Sequence, residues 1–368
     1  GPSTLAQNPH LLARLKIPQR ILGAAHRTHS LYMQQVGQLS NTVTSGIGFE
    51  LRVDPPHQHG NGPALADRKM IAQRFRAMLQ PRVPVPYRFF TTRGWFFDEG
   101  GPVPLYRGHR TYDRIDPDLL RRAADLAGQY LLRATLPDGR LVYSYRPGGG
   151  EADPGYNMLR HAGTIYSILE LYEANGDPAL LETAERAIAY LALTTRRCTV
   201  EGSEYACVVD GDSVKLGGNA LALIALAKHR ELTGDERHRE MMLDLAGWIR
   251  AVQSPAGQFT IHKQSYPGGA VSDFVSNYYP GEALLALARL YVLEGDADLL
   301  AGAEAGARWL IEVRDAGLST AELSHDHWLL YALNDIYRLS RQPIFLEHAS
   351  RIATAIVDGQ NRRPEQRD

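Results

Sequence analysis

Cysteine is nearly absent from this chain, and neither sign of charge is in excess. Two cysteines among 368 residues are too few to build a disulfide-stapled scaffold. Lys and Arg total 40 against 41 Asp and Glu, a formal charge of −1. No basic surplus therefore points to nucleic acid or to an anionic membrane surface. No run of about 18 apolar residues occurs, so no segment reads as a membrane-spanning helix. No nucleophile elbow surrounds any serine, and Gly148-Gly149-Gly150 lacks the lysine and helix context of a phosphate loop; it reads as a flexible link. Gly1-Pro2 reads as the remnant of a protease cut, so the lack of a leader sequence is uninformative.

Apolar residues are plentiful, at 44%, enough for a large core. The clearest positive signal is an internal repeat. An apolar-periodic helix at 161–174 is followed by Asn175-Gly176-Asp177 and a second helix over 178–193. The layout recurs as 218–232, Thr233-Gly234-Asp235 and 236–252, then as 281–293, Glu294-Gly295-Asp296 and 297–313. A fourth copy pairs 327–339 with 344–358 across a turn near Pro343. Glycine stops the first helix in a left-handed conformation and aspartate caps the next. The links echo one another as well: Asp138-Gly139 after a helix at 117–135, and Ala256-Gly257 after Gln253, each lead into a short extended run.

The two helices of a pair differ. The first is small and apolar nearly all round, as in Asn219-Ala-Leu-Ala-Leu-Ile-Ala-Leu-Ala, and suits an inner layer. The second is amphipathic, as in Glu182-Thr-Ala-Glu-Arg, and suits an outer one. The expected fold is all-α, an (α/α) toroid or barrel of helical hairpins with short β-hairpin insertions. It occupies residues 116–360, after an N-terminal segment, 3–115, that completes or covers the ring. Within that segment 11–22, 27–39 and 64–79 read as helices, and 81–115 as a proline-broken, aromatic, partly extended stretch. His57 and His59 read as a solvated loop. Cys198 and Cys207 flank a glycine-centred hairpin that a disulfide can close, which would place the protein in the periplasm or outside the cell; two free thiols in a cytosolic enzyme are the alternative.

Parallel inner helices open their N-termini on one face, where backbone N–H groups and the positive dipole end converge. Polar residues crowd those positions. The first group is Tyr156, Asn157, Arg160 and His161; the second is Asp210, Asp212, Lys215 and Asn219. The third is Asp273, Tyr278, Tyr279 and Glu282; the fourth is His325, Asp326, His327 and Trp328. Single acids before helices are ordinarily caps, but capping does not account for the bulky aromatic and basic members, so a shared pocket is expected. Glycoside cleavage needs two carboxyl groups, a proton donor and a base or nucleophile. Glu282 with Asp326 is the expected pair, with Asp210, Asp212 and Asp273 in reserve and the aromatic rings stacking on sugar. The competing chemistry is proton abstraction from a uronic acid by His161 or Tyr279, with Arg160 and Asn157 holding the carboxylate. Lys215 and Lys263 would favour an anionic glycan. His325 and His327 alternate as metal ligands can, but no third ligand is evident, and no metal or cofactor is expected. The remaining option is a binding scaffold of helical repeats without catalysis.

The hairpins, the Asp138-Gly139 turns and the polar inner N-termini resemble the six-hairpin glycosidase superfamily over roughly residues 116–358. That group includes N-acylglucosamine 2-epimerase-like proteins, unsaturated glucuronyl hydrolases, and the toroids of polysaccharide lyases and glucuronyl C5-epimerases. The resemblance implies six hairpins and an oligo- or polysaccharide substrate, with no single family's catalytic signature aligned. Terpene cyclase toroids share the architecture, but their acid-rich initiating motifs are missing here.

Overall fold

The structure, a computed structural model, describes residues 47–53, 90–98, 101–105, 114–146, 151–152 and 155–360. The expected helices at 11–22, 27–39 and 64–79, the His57–His59 loop and the Gly148–Gly150 link lie outside the described residues. The chain divides into two compact units, one of residues 114–144 and 153–360, the other of 1–113, 145–152 and 361–368.

In the second of these, β1 (Ile47–Val53), β2 (Phe90–Asp98) and β3 (Gly101–Leu105) form an antiparallel sheet in that order. Val53 lies opposite Phe90, and Asp98 opposite Gly101. The extended stretch was legible in its aromatic residues; the strand at 47–53 was not. Two short strands, β4 (Tyr145–Arg146) and β5 (Glu151–Ala152), pair antiparallel.

The other unit is a helical array. Its helices are α1 (Pro117–Ala134), α2 (Met158–Asn175), α3 (Pro178–Thr194), α4 (Leu216–Thr233), α5 (Arg239–Ala251), α6 (Tyr279–Glu294), α7 (Ala297–Trp309), α8 (His327–Ser340) and α9 (Pro343–Asp358). The even-numbered helices form the inner layer: α2 packs on α4, α4 on α6, and α6 on α8. Each also packs on the outer helix that follows it, and α1 lies against α2 and α3. The described residues thus hold four hairpins and one further outer helix. The array curls, since Tyr166 of α2 and Trp328 of α8, the first and last inner helices, bring their rings within 6.4 Å.

Local chemistry explains the boundaries. Asp116 accepts the Leu119 amide ahead of Pro117, Asp177 accepts that of Ala179, and Asp296 that of Asp298. Gly176, Gly234 and Gly295 end their helices at φ 71°, 71° and 70°, a conformation that side chains resist. The Gly-Asp signature holds less well elsewhere. Asp235 takes the Arg237 amide instead of capping, and α5 begins only at Arg239, later than expected. The fourth turn has no glycine; Arg341 takes the left-handed position, at φ 59°. A π-helical turn, Leu310–Arg314, extends α7.

The echoing links have a physical origin too. Gly139 and Gly257 sit at φ 88° and 95°, and a side chain on either would collide with the backbone of the next outer helix, at Arg186 and Ala305 respectively. The bridges Thr135–Leu141 and Gln253–Phe259 close the two turns identically. Between α3 and α4 the chain forms β6 (Thr195–Val200), β7 (Ser203–Asp210) and β8 (Ser213–Lys215), and β9 (Lys263–Ser265), from the link between α5 and α6, completes a four-stranded antiparallel sheet. The Cys198–Cys207 disulfide closes the β6–β7 hairpin. Every residue of α4 from Leu216 to His229 is buried, as its all-round apolar sequence requires.

Candidate active site

The first turns of the inner helices meet at one end of the array. Asp210, at the end of β7, accepts the Met158 amide of α2 at 3.2 Å and the Lys215 ammonium ahead of α4 at 2.5 Å. A side chain on Gly217 of α4 would strike the Glu282 carboxyl and the Tyr279 ring of α6. One on Gly281 would strike the Leu329 amide of α8. Glycine at these two positions allows the neighbouring first turns to touch, and Glu282 lies close enough to Asp326 to feel its charge.

These two carboxyl groups are the most deeply buried acids of the face, with 4% and 0% of their surface exposed. Asp326 caps α8, its Oδ1 accepting the Leu329 amide at 3.0 Å, so the ordinary role of an acid before a helix is also present. Its Oδ2, and Oε2 of Glu282, have no hydrogen-bond partner among the described residues. Buried, unsatisfied carboxylate oxygens are costly to keep ionised. Burial, and after it the Asp326 charge, push the Glu282 carboxyl up to about 8. Burial pushes Asp326 up to about 6, against the Leu329 amide and the Arg314 charge that favour its ionised form. At neutral pH one acid is therefore mostly protonated and its neighbour mostly ionised, the division of labour that acid–base pairs need.

Aromatic residues cluster at the starts of α6 and α8. Tyr279 is half-buried, its ring 5.8 Å from Phe274 and stacked at 6.4 Å on His262. Burial, then the charges of Glu282 and Asp210, raise its hydroxyl to about 12. Tyr278, Trp328 and Tyr331 each approach the His327 ring within 5.2–6.2 Å. Tyr278 and Tyr331 remain 44% and 49% exposed, available to a ligand. Asp212 and Asp273 are exposed at the rim. Arg314, gripped by Asp315 at 2.7 and 2.9 Å, reaches the Asn277 carbonyl at 3.4 Å.

Other expected residues are placed elsewhere. His161 faces the outer layer: its Nε2 meets the Ala187 carbonyl of α3 at 2.9 Å, and its Nδ1 meets the Tyr156 hydroxyl at 2.7 Å. That hydroxyl also accepts the Leu141 amide. Both side chains have partners, and neither is directed at the carboxyl pair. Asn157 caps α2 through the Arg160 amide, and Arg160 is exposed, its guanidinium 5.8 Å from the Tyr143 ring. Asn219 is fully buried and anchors the β7 strand by accepting the Val208 amide. Lys215 is neutralised by Asp210. His325 rests against Gly359 at the end of α9, away from His327. Among the described residues no three or more His, Cys, Asp and Glu side chains gather where a metal could sit. His262, Phe274, Tyr331 and Arg314 belong to the neighbourhood but were not anticipated. The first two lie in irregular links without helical period; Tyr331 and Arg314 had only exposed-face signals.

No protein-family profile matches this sequence, and no curated protein matches it significantly. Solved structures do. Cellobiose 2-epimerase from Spirochaeta thermophila aligns at a TM-score of 0.52 and 20% identity, over 68% of this chain and 71% of that one. D-mannose isomerase aligns at 0.53 and 14% identity, over 69% and 74%. What the chain shares with them is the fold, an (α/α) toroid of helical hairpins. An alpha-mannanase of glycoside hydrolase family 76 from Bacteroides thetaiotaomicron also matches, at 0.48 and 16% identity over 59% of this chain; the match spans 61% of the mannanase.

Proposed function

We propose that this toroid is a carbohydrate-acting enzyme, a glycoside hydrolase in which Glu282 donates the proton and Asp326 acts as the ionised partner. The observation that carries this reading is the carboxyl pair itself: two buried acids at neighbouring inner-helix starts, each with an oxygen that no described residue bonds. Glu282 would protonate the leaving glycosidic oxygen as the C1–O bond breaks. Asp326 would either draw a proton from the attacking water or attack C1 and be released by water in a second step. Tyr278, Tyr331 and Trp328 would hold the sugar faces. The disulfide supports an oxidising compartment, periplasmic or extracellular.

The test is a panel of oligosaccharides with new reducing ends as the readout. Glu282→Gln and Asp326→Asn should each lower kcat/KM by about 100- to 10,000-fold, with the fold retained by circular dichroism. Full activity in either variant would remove that residue from the mechanism.

A sugar epimerase or isomerase is the second reading, supported by the half-buried Tyr279, whose hydroxyl feels the Glu282 charge, and by the likeness in fold to cellobiose 2-epimerase and D-mannose isomerase. It loses the support of His161 and Tyr156, which bond to each other. Solvent deuterium appearing on a sugar carbon without chain cleavage would favour it over hydrolysis.

A further inference from the structure

A cavity of about 390 Å³ lies among the inner helices toward their C-terminal ends. It is separate from the carboxyl pair, because α8 runs from its Asp326 cap to its Arg341 cap, about 22 Å at 1.5 Å per residue. All four inner helices line it, Tyr166 coming from α2 and Ile224 and Leu339 contributing apolar walls.

Two of its basic side chains lack the acidic partners that the others have. Lys228 is held by Glu170, Glu173 and Glu231 at 3.3, 2.8 and 3.2 Å. Arg289 is held by Asp335 at 2.5 Å. Arg338 and Arg341 line the same cavity and have no acidic partner among the described residues. Basic residues near a helix C-terminus are ordinarily explained by the dipole, which accounts for Arg338 in the last turn. It does not account for Arg341. The three sister hairpins place Gly176, Gly234 and Gly295 at this position, with φ and ψ near 71° and 10°. Arg341 occupies it at φ 59° and ψ 18°, a conformation that glycine adopts freely and arginine at a cost. The guanidinium lies 5.9 Å from the Tyr337 ring. Arg338 and Arg341 are both exposed at the cavity wall, and an arginine kept where local backbone chemistry disfavours it, with no acid to pair with, points to a ligand.

We propose that this cavity is a second binding site, for a small oxyanion-bearing molecule of up to about monosaccharide size, whose carboxylate or phosphate group is gripped by Arg338 and Arg341. Guanidinium groups match such groups with paired, charge-assisted hydrogen bonds. The volume lies within the range of small-molecule sites. The assignment stands whichever reaction the opposite face performs.

The full chain is titrated calorimetrically, at low salt, with glucuronate, with glucose 6-phosphate and with glucose. At least one anion should bind and glucose should not, and binding should weaken as sodium chloride is raised. The two anions distinguish carboxylate from phosphate recognition. At ten times the dissociation constant the thermal midpoint should rise by roughly 3–5 °C. Arg341→Gly is the deciding variant: glycine suits the backbone there, so its unliganded midpoint should stay or rise, while affinity falls about tenfold or more. Arg338→Gln should weaken binding comparably. The proposal is overturned if neither anion binds, if glucose binds equally well, or if the anion's affinity is unchanged in both variants.

Discussion

In the proposed mechanism Glu282 and Asp326 have opposite tasks, and their different surroundings make pH a direct probe. With Asp326 required ionised and Glu282 required protonated, kcat/KM should follow a bell with limbs near pH 6 and pH 8. Stability should carry the same signature. The folded state raises both groups above their ordinary values of 4.5 and 3.8, so it binds more protons than the unfolded chain between those values and about 8. Stability is then fully present at low pH and declines as pH rises through that window. Glu282→Gln keeps the shape and removes the ionisation. Its thermal midpoint should therefore exceed the parent's by several degrees at pH 9 and match it near pH 4. An equal difference at both pH values would mean that the Glu282 carboxyl is not kept protonated by burial. At this scale the sequence places Glu282 and Asp326 each at the opening of an inner helix, and the structure buries both there. His161 also opens an inner helix, but its rotation about α2 turns it toward α3. One-dimensional spacing does not report which side of a first turn a residue occupies.

Among elements, two glycines decide how closely the inner helices approach. Gly281→Ala would push the Leu329 amide, and with it the Asp326 cap, away from α6. It should destabilise by about 1–3 kcal/mol and lower turnover at least tenfold, and water entering beside Glu282 should move the alkaline limb of the pH profile downward. Gly295→Ala provides the contrast. It strains a left-handed cap at the other end of α6 and should cost about 1 kcal/mol with an unchanged pH profile. A matching shift in both variants would mean that the limb reports general loosening instead of the contact at Gly281. The helices themselves were readable because apolar periodicity and Gly-Asp turns coincide in three of four repeats. The inner helices nevertheless start two or three residues earlier than expected, at Met158, Leu216 and Tyr279. Two of these, α4 and α6, follow Lys215 and Tyr278, which make no side-chain cap bond, so no start signal is written there. The strand at 47–53 and the π-helical turn at 310–314 likewise lack a distinct local pattern.

For the whole helical unit, the β6–β7 hairpin acts as a clasp on the end where the inner helices begin. Its strand β7 receives the Asn219 side chain of α4 through the Val208 amide, and its last residue, Asp210, receives the Met158 amide of α2. Two inner helices are thus tied to one hairpin, and the Cys198–Cys207 disulfide, spanning nine residues, limits how far that hairpin can open. A loop of this size contributes about 2–3 kcal/mol by restricting the unfolded chain. Reduction should therefore lower the thermal midpoint by roughly 5–10 °C, as read by calorimetry with and without a phosphine reductant. Because Asp210 and Asn219 lie on strand and helix and not in the covalent bridge, the reduced protein should retain most of its activity well below its midpoint. Loss of activity at low temperature with the helical signal intact would instead make the disulfide part of the site's alignment. Cys198→Ala with Cys207→Ala separates the two outcomes, since it removes the bridge without leaving thiols that can react.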